Sequence, residues 1–450
     1  MKILALNGNI GYGYSEEAFE NALKQDIACI GGDNGTTDAG PYYLGSGSSL
    51  TDRVKVKRDI ELSLPVALKR RIPYILGSAG TAGGDIHVQW VKDIIEEIAK
   101  EKGLYFKMAV IHSEVSKEYL RKKLREGKVK SLGPPQLTEE DIDASVRLVG
   151  QIGVTPFIKA LDKGVDVILA GRACDTAIYA AVPIREGCNP GLAWHMAKIM
   201  ECGAFCSEPG SPSDCMVGDI QKDHFILEPP NPMRRCTCVK VAAHTLYEQP
   251  DPYYIYEPDG MMDLKQCKYE QYTERAVKVS GSNYVSAEKP TIKIEGVRLT
   301  GYRTIAIGAT RDALMIQNID EILNTVRGLA ADQFKGKIGP EDYHMDFRVY
   351  GKKGVMGELE PSNILPNELL IIVDIVAKAQ EIAISVCSGT RALLLHFDYA
   401  GRKVTRGNLA FPYSPSDVSM GAVYEFHVYH TVEVDDLCET TSTEVIEVGG

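Results

Sequence analysis

The sequence predicts an α/β fold: a parallel or mostly parallel sheet with flanking helices in the N-terminal part, and a second α/β or α+β domain in the C-terminal part. Three observations carry this expectation. Short apolar runs alternate with amphipathic stretches through the first third of the chain, the pattern of strands joined by crossover helices. Several of those runs open into segments rich in Gly, Thr and Asp. At 450 residues the chain also exceeds what one hydrophobic core usually supports.

Taken in order, Lys2 to Leu6 reads as the first strand, followed by a glycine-rich turn and a helix containing Glu16 to Lys24. Asp26 to Ile30 is the second strand and runs into Gly31 to Pro41. Ile72 to Leu76 is the third and runs into Gly77 to Asp85, after which Val88 to Lys100 has helical spacing. Lys107 to Ile111 is the fourth strand, ending at His112-Ser113-Glu114. Thr138-Glu139-Glu140-Asp141 has the form of a capped helix start. Val165 to Ala170 is the fifth strand, ending in Gly171-Arg172-Ala173-Cys174-Asp175 before a helix from Thr176. Further on, β-type runs are expected at Thr291 to Leu299, Tyr302 to Ile307, Tyr343 to Tyr350 and Leu393 to Phe397, with helices at Asn318 to Leu329 and Glu368 to Val386 and a last strand within Ala422 to Val434. These elements divide into an α/β domain over residues 1–200 with the ligand loops, an irregular Cys- and Pro-rich connecting lobe over 201–274, a second domain over 275–434 and a polar tail over 435–450.

Composition narrows the partners. A net charge of −11 opposes nonspecific binding to nucleic acid or to anionic membrane surfaces, both of which need clustered Lys and Arg. No segment approaches the roughly 20 apolar residues of a membrane span, and the first residues do not form a signal-peptide core. Eleven cysteines, an odd number, fit reduced thiols in a cytoplasmic protein better than a disulfide framework. Eight of them fall between Cys174 and Cys267, yet paired C-x-x-C knuckles are missing, so buried thiols are favoured over a structural zinc.

The candidate chemistry lies in the loops at strand ends, where open α/β sheets bind ligands. Asn7 and Gly8 follow the first strand. Gly35, Thr36 and Thr37 offer amides and hydroxyls to an oxyanion, and Asp33 and Asp38 offer acid–base capacity, leaving a divalent metal open. Ser78, Gly80, Thr81 and Asp85 repeat that composition in the neighbouring loop. Arg172 could clamp a substrate carboxylate and Asp175 could move a proton, against the plainer reading of an Arg–Asp pair that fixes a helix start. His112 is a weaker candidate beside Glu114. No Walker sequence is present, the glycines after the first strand lack the dinucleotide spacing, and no G-x-S-x-G, H-E-x-x-H or EF-hand segment occurs. No cofactor is therefore assigned.

The segments Gly31-Gly32-Asp33-Asn34-Gly35-Thr36-Thr37-Asp38-Ala39-Gly40-Pro41-Tyr42-Tyr43-Leu44-Gly45, Gly171-Arg172-Ala173-Cys174-Asp175 and Asn408-Leu409-Ala410-Phe411-Pro412-Tyr413-Ser414-Pro415-Ser416-Asp417 give the chain a resemblance to the acyclic terpene utilisation AtuA-like family. The resemblance implies a place in catabolism of branched acyl-CoA intermediates, with no settled set of catalytic residues to carry over. Many members carry a further small C-terminal domain for which this chain leaves no room, so a separate small subunit and an oligomer are expected. The leading expectation is a lyase of the hydratase/dehydratase type acting on a small hydroxy acid or its CoA thioester. The alternatives are a phosphotransferase or ATPase, because Asp33-Asn34-Gly35-Thr36-Thr37 resembles the first phosphate loop of sugar kinases and actin-like ATPases, and a noncatalytic subunit of a catabolic complex.

Overall fold

The computed structural model describes residues 1–403 and 405–449. The chain forms two compact units: residues 1–298 with 426–450, and residues 299–425.

The first unit is built on a ten-stranded mixed sheet. Its centre comes from β1 (Lys2–Ala5), α1 (Glu16–Leu23), β2 (Ile27–Gly35), α2 (Arg53–Arg70), β3 (Tyr74–Thr81), α3 (Asp85–Lys102) and β4 (Phe106–His112). The chain continues with β5 (Ser145–Gln151), which pairs outside this sheet, α4 (Val154–Leu161), β6 (Val167–Ala170), α5 (Asp175–Arg185) and α6 (Pro190–Met200). Strands β1, β2, β3, β6 and β4 lie side by side in that order, all parallel. Successive side chains of a strand face opposite sides, so Ile3 and Ala5 join a core with α4, α5 and α6, while Leu4 joins a second core with α1, α2 and α3. Each Ile or Leu fully buried in these cores contributes about 1.5–3 kcal/mol.

The helices start where their sequences say they should. Ser15 accepts a hydrogen bond from Ala18 N at the start of α1, ahead of Glu16 and Glu17. Asp52 does the same for Val54 N in α2. Thr138 and Asp141 form a reciprocal capping box at the helix Glu139–Ala144.

Where sequence and structure differ, the reasons are physical. The second and third strands run past Ile30 and Leu76 to Gly35 and Thr81, with Gly31 opposite Ile75, Gly32 opposite Leu76 and Asp33 opposite Gly77. The glycines here are ladder residues before they are loop residues. Residues 201–274, expected to be irregular, contribute β7 (Met216–Ile220), β8 (His224–Glu228) and β9 (Lys268–Gln271), which with β10 (Val277–Ser280) extend the sheet antiparallel beyond β1 in the order β7, β8, β10, β9. These strands are short, and the Pro- and Cys-rich turns between them dilute the period-2 signal of Phe225 and Leu227, both fully buried.

The long strand β11 (Thr291–Thr310) pairs residues 293–298 with β5 in the first unit, and its residues 302–310 belong to the second. In the second unit α7 (Ile319–Phe334), β12 (Tyr343–Tyr350), β13 (Leu369–Ala377) and α8 (Gln380–His396) enclose a separate core. The helix expected over Glu368 to Val386 is thus a strand followed by a helix, and the strand expected at Leu393 to Phe397 falls on α8 through His396. The contiguous apolar run Leu369-Leu370-Ile371-Ile372-Val373 belongs to a buried strand, a form periodicity alone cannot separate from a helix. Beyond β14 (Asp417–Glu433), the segment expected as a polar tail supplies β15 (Ser442–Val448), antiparallel to β4 at the sheet edge. Gly450 lies outside the described residues. The compact units therefore do not coincide with boundaries at 200, 274 and 434.

Candidate functional site

A cavity of about 570 Å³ opens in the first unit outside the carboxyl ends of β1, β2 and β6. Its wall includes Gly8 and Asn9 after β1, Asp33 and Gly35 to Asp38 at the end of β2, and Arg172, Asp175 and Thr176 where β6 passes into α5. Lys198, Glu201 and Cys202 come from the end of α6, Glu257 from a neighbouring hairpin, and Gln151, Lys293 and Tyr429 from β5, β11 and β14.

Two close backbone approaches shape the floor. A Cβ on Gly35 would lie 2.3 Å from Ser78 Cβ and 2.8 Å from Arg172 Nη1, so only glycine lets β2 pass there. Gly83 has φ +67°, and a Cβ on it would lie 2.1 Å from Arg172 N. Ser78, itself at φ 48°, accepts from Ala173 N at 3.2 Å and from Arg172 Nη1 at 3.4 Å, tying the ends of β3 and β6 together.

Arg172 is not available as a substrate clamp. Its Nε lies 3.1 Å from Glu295 Oε2 and its Nη2 3.4 Å from Glu295 Oε1, and both side chains are almost fully buried. Asp175 Oδ1 sits 3.5 Å from Arg172 Nη1 without hydrogen-bond geometry. Burial disfavours the Arg172 charge, but Glu295 and Asp175 outweigh it and hold the guanidinium above its ordinary pKa. The same network keeps Glu295 ionised: burial opposes its charge, and Arg172 and Lys293 together bring its pKa below the usual value.

The other carboxyl groups behave oppositely. Burial, reinforced by Asp175 across the floor, holds Asp33 well above the usual carboxylate range. Its Oδ2 accepts from Gly35 N at 3.0 Å, and its buried Oδ1 has no hydrogen-bond partner among the described residues. Burial raises Asp175 as well, only partly offset by Arg172. Glu201 is raised to about 7 and Glu257 to about 8, burial being the largest cause in each. Lys198 Nζ lies 2.5 Å from Glu201 Oε1; burial lowers its basicity, and the attraction and hydrogen bond of Glu201 more than reverse this. Thr176 Oγ1 donates to Glu257 Oε1 at 3.2 Å. The cavity thus holds carboxylic acids that keep protons near neutral pH.

Of the residues singled out from the sequence, Asp33, Asp38, Asp175, Arg172, Gly8, Gly35, Thr36 and Thr37 line this cavity. Asp38 stands exposed. The remaining six do not line it. Asn7 is buried and donates to Asp59 Oδ2 at 2.9 Å, an oxygen that also takes Gly11 N and Gly13 N, so it shapes the loop after β1. Ser78 acts through Arg172 as described. Gly80 N donates to Asn34 Oδ1, and Thr81 Oγ1 accepts from Leu50 N, both inside the protein. Asp85 and His112 form their own half-exposed pair at 2.9 Å. Two of the amides expected to receive an oxyanion are engaged too: Gly35 N with Asp33 and Thr36 N with Thr81 O. Among the described residues no group of three His, Cys, Asp or Glu side chains is placed to hold a metal ion.

Sequence reasoning passed over Lys198, Glu201, Glu257 and Lys293. Signals for two of them were present. Lys198 is the one Lys, Arg, Asp or Glu of the helix Pro190–Met200, and Lys293 alternates with Ile292 and Ile294, which are fully buried on the other face.

The family model described as acyclic terpene utilisation family protein AtuA matches residues 54–407. The chain belongs to this family. The Gly171 to Asp175 segment of this AtuA-family chain, which ends β6 at the cavity, falls within the matched region, while the Gly31 to Gly45 segment precedes it and Asn408 to Asp417 follows it. No curated protein and no solved structure matches the chain. No helix among the described residues is long and apolar enough to cross a membrane.

Proposed function

We propose that the protein is a lyase of the hydratase/dehydratase type whose reacting group is the uncharged acyl end of a hydroxyacyl thioester. One observation carries the reading: Glu201 and Glu257, raised to about 7 and about 8, share one cavity with Lys198. Elimination of water needs a base for the proton beside the carbonyl and an acid for the departing hydroxyl. Glu201, poised near neutrality beside Lys198, takes the proton. Glu257, still protonated at neutral pH, gives its own to the hydroxyl, which leaves as water.

Of the cations lining the wall, Arg172 and Lys198 are committed to Glu295 and Glu201, which leaves Lys293 for the substrate, and one cation suffices for the oxygen of a thioester carbonyl. The engaged amides of Gly35 and Thr36 support a lyase over a phosphotransferase, which needs such amides for phosphate oxygens. Eleven unpaired cysteines support a reducing, cytoplasmic setting for this reaction.

The test is to incubate the protein with branched enoyl and 3-hydroxyacyl thioesters in D₂O. Loss of the conjugated enoyl absorbance and deuterium at the carbon beside the carbonyl are expected, both lost in Glu201→Gln. Wild-type protein that neither hydrates nor exchanges any member of the panel would reject the reading.

A further inference from the structure

The chemistry just proposed develops negative charge on the substrate oxygen, and two of the backbone donors expected to receive it, Gly35 N and Thr36 N, are occupied. Three cations line the cavity, and two are already committed. Arg172 is locked to Glu295, and Lys198 lies 2.5 Å from Glu201. Lys293 differs. Its nearest carboxylate oxygen in an ion pair, Glu295 Oε1, is 4.0 Å away, and both oxygens of that carboxylate already accept from Arg172.

The surroundings of Lys293 supply two further donors. In the register of β11 with β5, Lys293 stands opposite Gln151, which sets the two side chains on the same face with Cβ atoms about 5 Å apart. Both line the cavity. Lys293 Nζ donates to Tyr429 Oη at 3.5 Å and lies 5.3 Å from the centre of that ring, and Tyr429 lines the cavity as well. Because the lysine donates to the phenol oxygen, the phenol proton is left to point elsewhere. An ammonium, a carboxamide and a phenol therefore come together in the cavity that also holds Glu201 and Glu257.

We propose that Lys293, Gln151 and Tyr429 form the oxyanion subsite of the cavity, receiving one compact, singly charged oxygen group. This deepens the lyase reading and rests on it only for the identity of that group as the enolate oxygen of the substrate. Lys293 carries the charge, Tyr429 orients the ammonium and adds a hydrogen bond, and Gln151 closes the third side. A multiply charged anion does not suit the site, because the ionised carboxylate of Glu295 lies 4.0 Å from Lys293 Nζ.

Acetate, with acetamide as its uncharged isostere, probes the subsite without turnover. Saturation-transfer NMR titrations of both are to be run on the wild-type chain and on Lys293→Met, Lys293→Arg and Tyr429→Phe, each first shown to melt cooperatively. Acetate is expected to bind the wild type and Lys293→Arg. Loss of the charge-assisted hydrogen bond in Lys293→Met should weaken it about tenfold or more, and loss of the phenol in Tyr429→Phe about threefold. Acetate that binds wild type and Lys293→Met alike, acetamide that binds the wild type as well as acetate does, or no acetate binding at all would overturn the assignment. If acetate binds through Lys293 while no thioester is hydrated or exchanged, the lyase reading falls and the subsite stands.

Discussion

Replacing Glu257 by Gln should make the protein more stable at alkaline pH. In the folded chain burial lifts the carboxyl of Glu257 from the ordinary 4.5 to about 8. Between those values the folded chain keeps a proton that the unfolded chain has lost. Stability from this group is therefore full below about pH 4.5, falls as pH rises, and is lost above about 8. Each pH unit is worth about 1.4 kcal/mol, which sets a ceiling of about 5 kcal/mol at pH 9. Glu257 is only part-buried and borders the cavity, so water relieves much of this, and a difference of about 2 kcal/mol is expected. Glutamine imitates the neutral acid and accepts the Thr176 hydroxyl through its own carbonyl. Thermal melts at pH 5, 7 and 9 should show the variant gaining on the wild type as pH rises, by roughly 3 °C at pH 9. A gap that does not change with pH, or a variant less stable at pH 9, would mean that burial does not hold the proton on Glu257.

Three further outcomes follow from the same geometry. Arg172→Ala leaves Glu295 buried and unpaired and should cost about 3–5 kcal/mol in urea denaturation; a loss under 1 kcal/mol would mean that water already reaches the pair. Gly83→Ala forces a side chain into a left-handed turn against Arg172 N and should cost about 3 kcal/mol or more in the same assay, so a neutral result would show that the loop can move aside. Asp38→Asn, at an exposed position, should change thioester turnover by less than about twofold, whereas Glu201→Gln should lower it about a hundredfold; equal losses would return Asp38 to the catalytic group.

The parallel centre of the sheet was legible because its strands are apolar runs, most of them stopped by glycine, and because Ser15, Asp52 and Thr138 announce their helices. Asp33, Arg172 and Asp175 could be found because residues that end strands of such a sheet face its ligand crevice. What the sequence hid depends on distant partners. Nothing local tells that Arg172 is neutralised by Glu295, since the two meet only when β11 is laid against β5. Glu201 and Lys198 gain their character from burial at the end of α6. Ser78, Gly80 and Thr81 carry the same composition as the cavity loop but spend it on Arg172, Asn34 and Leu50, and a window of sequence does not distinguish a donor facing a cavity from one facing a neighbour.

Infrared difference spectroscopy reads directly whether the cavity holds carboxylic acids still protonated near neutral pH. Spectra of the wild type recorded between pH 6 and pH 9.5, in H₂O and D₂O, should show a protonated-carboxyl carbonyl band that bleaches as pH rises, part of it missing in Glu201→Gln and a separate part missing in Glu257→Gln. A wild-type protein with no protonated-carboxyl band at pH 6, or a band that both variants retain in full, would contradict the account.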